Sequence, residues 1–232
     1  MIKAYWWPAK NFGDMLTPVI LKHFFPNEQI KISERGERGK LLAVGSIVHL
    51  ALSGDVVWGS GSNRPWRKYN GRGVRYLAVR GPWTRNQIKN AVVPKIYGDP
   101  AILLPLIFNP QVEKKYKIGL VPHYVDKPLV KASPGEKIID IQGEWTEVIY
   151  EILSCEKIIS SSLHGIIAAE AYGIPTQWAV WGKKIVGGDF KYQDYFLGSG
   201  RERQKTMSDI PPIPDLENRQ NKIINALKQW KS

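Results

Sequence analysis

Residues 157–165 read Lys157-Ile158-Ile159-Ser160-Ser161-Ser162-Leu163-His164-Gly165, and Ile166-Ile167-Ala168-Ala169-Glu170-Ala171-Tyr172-Gly173-Ile174-Pro175 follow at once. The apolar run ending at Ser160 reads as a strand. Hydroxyls and a histidine come next. A run of small apolar residues then predicts a helix, stopped by Gly173 and Pro175, the usual C-terminal punctuation. A residue able to move a proton therefore stands where a strand gives way to a helix N-terminus. In open α/β sheets that junction is where ligands bind, because the helix end offers unpaired N–H groups and positive potential.

The same alternation extends in both directions. On the N-terminal side, Ile2–Trp6, Leu41–Gly45, Val56–Gly59 and Arg75–Arg80 read as strands. Thr17-Pro18 predicts a helix over Val19–Phe25, with threonine as cap and proline at the first helical position, which leaves residues 11–14 as a loop. A second helix is expected from Pro82 to about Asn90. The polar stretch 108–115 carries a proline and reads as a linker. Beyond it, Tyr116–Val121, Lys137–Ile141 and Thr176–Val180 read as strands. Trp145–Ser154 has helical spacing, which Cys155 continues as a core residue. Leu216–Trp230 reads as a last helix.

Strands alternating with helices predict an α/β protein with mostly parallel sheets. The simplest architecture is two Rossmann-like halves facing a cleft, 1–107 and 112–207, with an extension and helix at 208–232 that returns to the first half. Each half is small for a domain, so the two are expected to share a substantial interface.

Composition narrows the partners. The 232 residues carry a net charge of +12 and a hydrophobic content of 43%. No apolar run reaches the ~18 residues of a membrane span, and Met1–Trp7 reads as a first strand, not a signal peptide. One cysteine excludes an internal disulfide framework, so a reduced cytoplasmic setting is expected. The positive charge suits an anionic small substrate or an anionic membrane surface. It is spread in pairs such as Lys114-Lys115 and Lys183-Lys184 rather than gathered in arms, which argues against nucleic acid. The four histidines, His23, His49, His123 and His164, lack metal-ligand spacing. No Gly-x-Ser-x-Gly elbow marks a serine hydrolase.

Four segments can carry chemistry. His164, preceded by Ser160, Ser161 and Ser162, reads either as a helix cap or as a proton donor once an anion arrives; Gly165 permits close backbone approach. In Asn11-Phe12-Gly13-Asp14, Asp14 is a candidate general base or hydroxyl-orienting group and Asn11 a substrate hydrogen-bonder; a plain turn is the other reading. Gly59-Ser60-Gly61-Ser62 loosely resembles a phosphate loop and matches neither nucleotide fingerprint. Arg80 can fork onto phosphate or carboxylate, or form an ion pair. Asp99, between Gly98 and Pro100, reads as a turn-fixing residue.

Taken in order, Asn11-Phe12-Gly13-Asp14, Gly59-Ser60-Gly61, Arg80-Gly81, Gly98-Asp99-Pro100-Ala101 and Ser161-Ser162-Leu163-His164-Gly165 with Gly173-Ile174-Pro175 resemble the polysaccharide pyruvyl transferase family. The stretch Phe190-Lys191-Tyr192-Gln193-Asp194-Tyr195 is similar to members that modify bacterial exopolysaccharide. The resemblance implies a GT-B-like fold, with the first half on the acceptor side and the second on the donor side. It implies transfer of the enolpyruvyl unit of phosphoenolpyruvate to a sugar of an exopolysaccharide or its lipid-linked repeat unit, giving a pyruvate ketal. Phosphoenolpyruvate would be the donor substrate, with no further cofactor and no metal. His164 would be the acid, Arg80 an anion clamp and Asp14 the acceptor-side base. Gly13, Gly59, Ser60, Ser161, Ser162, Leu163, Gly165 and Lys191 would line the substrates.

The chain departs from the family at one point. Many members carry arginine two residues before the histidine, where this chain has Ser162. A hydroxyl lacks a guanidinium's charge and fork, so another cation must hold the donor; Lys191, Lys183 and Arg64 are candidates. The competing readings are a nucleotide-sugar glycosyltransferase of the same architecture, with Glu170 as the only nearby acidic residue for a ribose, and a non-catalytic module for acidic glycan or nucleic acid. Location at the inner face of the membrane is the expectation for the pyruvyl transferase reading.

Overall fold

A computed structural model describes residues 1–231. In chain order the elements are β1 (Ile2–Tyr5), α1 (Phe12–Phe24), β2 (Ile30–Ile32), β3 (Leu41–Leu42), β4 (Val56–Trp58), β5 (Tyr69–Asn70), β6 (Arg75–Ala78), α2 (Pro82–Gln87) and β7 (Ile88–Lys89). Next come α3 (Leu104–Ile107), β8 (Tyr116–Val121), β9 (Glu136–Ile138), α4 (Trp145–Leu153), β10 (Cys155–Ser160), α5 (Leu163–Ala171), β11 (Thr176–Trp178), α6 (Phe190–Gly198), β12 (Asp209–Ile210) and α7 (Leu216–Lys231).

Two five-stranded sheets result. The first has the order β2-β1-β3-β4-β6 and is parallel throughout. The second has the order β9-β8-β10-β11-β12, parallel except for the edge strand β12. Counted within its own sheet, each follows the order 2-1-3-4-5 of doubly wound folds, in which the chain changes direction of winding between its first and third strands. The switch points are therefore β1/β3 and β8/β10. Strands buried on both faces need continuous apolar runs, which Leu41–Val44 and Ile158–Ile159 supply.

One buried apolar cluster joins the two sheets. It runs from Ile2, Leu16 and Trp58 through Leu103 to Val121, Ile158 and Ile166. The C-terminal helix packs on the first sheet. Its Ile223, Ala226 and Leu227 are buried there, and the Trp58 indole donates to the Ile223 carbonyl at 2.9 Å.

Three local expectations are corrected. The first helix begins at Phe12, not Val19. Asn11 is its cap, accepting from the Gly13 N–H at 3.2 Å, and Pro18 lies inside the helix. Burial of Phe12 and Leu16 outweighs the local proline signal, because packing of an apolar face contributes more to a helix than propensity does. Cys155 is core, yet it opens β10 instead of ending α4: pairing with Tyr116 of β8 takes its backbone. The helix at Pro82 stops at Gln87, because Ile88 and Lys89 pair with Tyr69 and Asn70.

Candidate functional site

The loops that leave the two switch points converge on one cavity of about 260 Å³. From the first sheet come Trp7, Asn11 and Asp14 after β1, and Ser46, Ile47 and His49 after β3, with Asn63 beyond β4. From the second come His123 and Tyr124 after β8, and Ser162, Leu163 and His164 after β10. Lys191, in the first turn of α6, completes the wall. A smaller cavity of about 190 Å³ shares Trp7, Asn11, Asp14 and Tyr124 with it and adds Lys10 and Gln142.

The N-termini of α1 and α5 both lie at this cavity and bring two positive helix ends together. Ser162 caps α5 by accepting from Gly165 N–H at 3.4 Å, and Leu163 and His164 precede the first intrahelical bond, from Ile166 N to Ser162 O. The start of α1 is tied to the second sheet by Phe12 N donating to Ile141 O at 2.7 Å. Gly13 allows the two helix ends to touch: any side chain there would run into the His164 imidazole.

His164 is 13% exposed, and its Nε2 faces Asp99 Oδ2 at 3.5 Å. Asp99 is fully buried, and its other oxygen accepts from Ala101 N–H at 3.1 Å. Both Nε2 and Asp99 Oδ2 are buried without any other partner among the described residues. A buried carboxylate facing the ring edge restricts how the imidazole can sit. The other ring nitrogen, Nδ1, lies against Gly13. Asp99 therefore fixes its own turn, as the sequence predicts, and also orients the histidine.

Charge in the cavity is poised by burial. The Asp14 carboxyl is pushed up mainly by burial, against the pull of His164 and Lys191. The Lys191 ammonium falls to about 8 through burial and the nearby Arg80, although Asp14 and Asp126 oppose this. His123 falls to about 3 through burial and its cationic neighbours Lys191 and His164, so it is neutral at physiological pH. Burial, with Arg64, Arg35 and Arg67, also lowers His49. A carboxyl raised by burial, a histidine backed by a buried carboxylate and a lysine thus surround one space.

Of the residues expected at the site, Asp14, Asn11, Ser162, Leu163, His164 and Lys191 line this cavity, and Gly13 packs against the His164 imidazole. Other expected ligands face elsewhere. Arg80 is fully buried and is not an exposed clamp: it donates to Ser46 Oγ at 2.9 Å and to the Ser62 carbonyl, and lies 3.7 Å from Asp194 Oδ2. Asp194 also caps α2 by accepting from Trp83 N–H at 2.8 Å and Thr84 N–H at 3.0 Å. Arginine and aspartate therefore neutralise each other in the core, where either alone would be costly.

Ser60 Oγ is spent on Gly45 O at 3.0 Å, and Gly59 has a positive φ of 84° with no room for a Cβ beside Pro100. Ser161 Oγ donates to Asp126 Oδ2 at 2.8 Å and accepts from His123 N–H at 2.9 Å, so it shapes the loop after β8 rather than a ligand. Gly165 packs on Val121. Glu170, the acidic residue a ribose would need, is buried against Arg201 and the Tyr195 hydroxyl, the latter at 2.7 Å. The nucleotide-sugar reading loses its acidic residue.

The sequence does not single out Trp7, Ser46, Ile47, His49, Asn63, His123 and Tyr124 for the cavity, nor Asp99 for its place behind the histidine. Only the position of each at a strand end signals it. Among the described residues, no group of three or more histidine, cysteine or carboxylate side chains is placed to hold a metal ion. No described helix is long and apolar enough to cross a membrane.

Comparison with known proteins places these features in a family. The family described as polysaccharide pyruvyl transferase matches residues 37–178. "Uncharacterized protein L143" of Acanthamoeba polyphaga mimivirus is 35% identical over 175 residues, covering 70% of this chain and 61% of that protein. "Succinoglycan biosynthesis protein ExoV" of Rhizobium meliloti (strain 1021) is 28% identical over 217 residues, covering 84% of this chain and 64% of that protein. The chain thus spans just over three fifths of the length of these curated relatives. No solved structure matches it. Ordered strand-end motifs, a histidine at the helix start and a match over more than half its length establish that the chain belongs to the polysaccharide pyruvyl transferase family.

Proposed function

We propose that the protein transfers the enolpyruvyl unit of phosphoenolpyruvate to a glycan, free or lipid-linked, and forms a pyruvate ketal. The observation that carries this reading is the meeting of His164, Asp14 and Lys191 in one cavity where the two switch points face each other. That arrangement also supports a GT-B-like relation of the halves, with the acceptor on the side of the first sheet and the donor against α5.

The donor carries two anionic groups. Lys191 and the α5 N-terminus supply the charge that Ser162 cannot, and the α1 N-terminus adds to the field. His164, held from behind by Asp99, delivers its proton to the methylene carbon of the donor. Positive charge develops at the adjacent carbon that bears the phosphate oxygen. An acceptor hydroxyl attacks that carbon while Asp14 takes its proton. The carbon–oxygen bond to phosphate then breaks, and phosphate leaves with the proton from Asp14 as hydrogen phosphate. A second hydroxyl of the same sugar closes the ketal, and its proton restores His164. The raised basicity of buried Asp14 suits it to accept a hydroxyl proton. No step uses a metal or further cofactor.

The experiment is a melting curve with and without millimolar phosphoenolpyruvate, paired with a phosphate-release assay using a succinoglycan-type oligosaccharide. Stabilisation by phosphoenolpyruvate, with release abolished in His164→Ala, is expected. A melting temperature unmoved by phosphoenolpyruvate but raised by a uridine or guanosine diphosphate sugar would overturn the reading.

A further inference from the structure

The rim of the cavity carries a feature that catalysis does not use. Residues 64–68, Arg64-Pro65-Trp66-Arg67-Lys68, are all exposed, and Trp66 at 82% is far more open than an indole ordinarily stays. The loop is held from below. Gln87 Nε2 donates to the carbonyls of Arg64 at 2.6 Å and Pro65 at 3.0 Å, and Arg64 N–H donates to Ser62 Oγ at 3.1 Å. A tethered backbone presents the indole outward.

A second loop meets the first. Gly187 lies so close to the Asn63 carbonyl that no Cβ fits between them. The loop of Gly187 carries Lys183, Lys184 and Val186, and Val186 is 63% exposed. Neither 63–68 nor 182–188 contains an acidic residue. Asn63 lines the cavity, and Arg64 and Arg67 depress the protonation of cavity-lining His49, so this cationic rim borders the mouth.

We propose that this rim docks on an anionic lipid bilayer, with Trp66 and Val186 in the headgroup region and the five cations at lipid phosphates. An indole sits well at a membrane interface, where its ring is apolar and its N–H stays wet. Basic residues near an anionic surface add attraction that falls off within a Debye length. The other exposed apolar side chain on these two loops, Val186, is aliphatic, which suits an acyl boundary; single-stranded nucleic acid calls for aromatic stacking platforms. Docking turns the cavity mouth toward the membrane. The inference does not rest on the pyruvyl-transfer reading, since it needs no substrate.

Co-sedimentation tests it. The full chain is spun with vesicles of phosphatidylcholine with and without phosphatidylglycerol, at low and high salt. Binding only to the anionic vesicles, weakened by salt, is expected. Arg67→Gln should lose about five-fold in affinity, the share of one cation at such a surface, and Trp66→Ala at least as much, with melting temperatures unchanged. Absence of sedimentation, sedimentation unaltered in both variants, or retention by single-stranded RNA in place of vesicles overturns the proposal.

Discussion

Two strand-end segments of this chain look alike in sequence and do opposite things. Residues 59–62, Gly59-Ser60-Gly61-Ser62, leave β4; residues 160–165, Ser160-Ser161-Ser162-Leu163-His164-Gly165, leave β10. In both, the hydroxyls are consumed locally. Ser60 binds Gly45 O, Ser62 meets the Tyr69 hydroxyl at 2.7 Å, and Ser160 donates to Val121 O at 2.8 Å. The difference lies in the next element of each chain segment. After 162 a nine-residue helix begins and its first turn faces the cavity, whereas after 62 the chain continues as the surface loop and Arg80 fills the space behind it. Serine and glycine build such a turn; the element that starts there decides whether it meets a ligand.

Substitutions can break the comparison. The largest effect belongs to His164→Ala, expected to slow phosphate release by about 10²–10⁴, the usual contribution of a general acid, while circular dichroism stays native. Arg80→Ala is expected to act on stability: it strands Asp194 in the core and should cost about 3–5 kcal/mol, read by denaturant unfolding. If Arg80→Ala melted like the wild type and lost only donor binding, the two segments would be functional equals after all.

Lys191 sharpens the contrast, because under the proposed mechanism it takes the part that Arg80 was expected to play. Its ammonium titrates at about 8, so the protonated form that attracts an anion predominates below that pH and is lost as pH rises through it. Phosphoenolpyruvate affinity should fall across that window, and Lys191→Arg, which stays charged, should flatten the profile; isothermal titration over pH measures both. The smallest effect is Ser60→Ala, expected to cost about 1 kcal/mol, one internal hydrogen bond, with donor affinity intact.

Much of the fold is legible residue by residue. Tyr116–Val121 is a strand with the bounds its apolar pattern predicts, and His164 stands at the helix start that Ser162 and Gly173 delimit. Short-range signals suffice where a segment's own pattern is strong. They fail at Pro18, where burial of Phe12 and Leu16 extends the helix backward through the proline, and at Cys155, where strand pairing overrides helical spacing. At the candidate site, residue type and position single out Asp14, Asn11, His164 and Lys191, which the fold brings to one cavity. Asp99 is not legible in this way, since nothing near it in the chain says that its second oxygen will face an imidazole. Arg80 is misread for the matching reason: its partner Asp194 lies in a distant helix.

The sequence alone determines the alternation of strands and helices, the family, the basic surface and the histidine at a strand-to-helix junction, because each is written in neighbouring residues or in composition. The tertiary structure alone decides which cations and carboxylates share a space. Burial and pairing depend on groups brought together from opposite ends of the chain, and they separate a core arginine held by Asp194 from a lysine left facing the cavity.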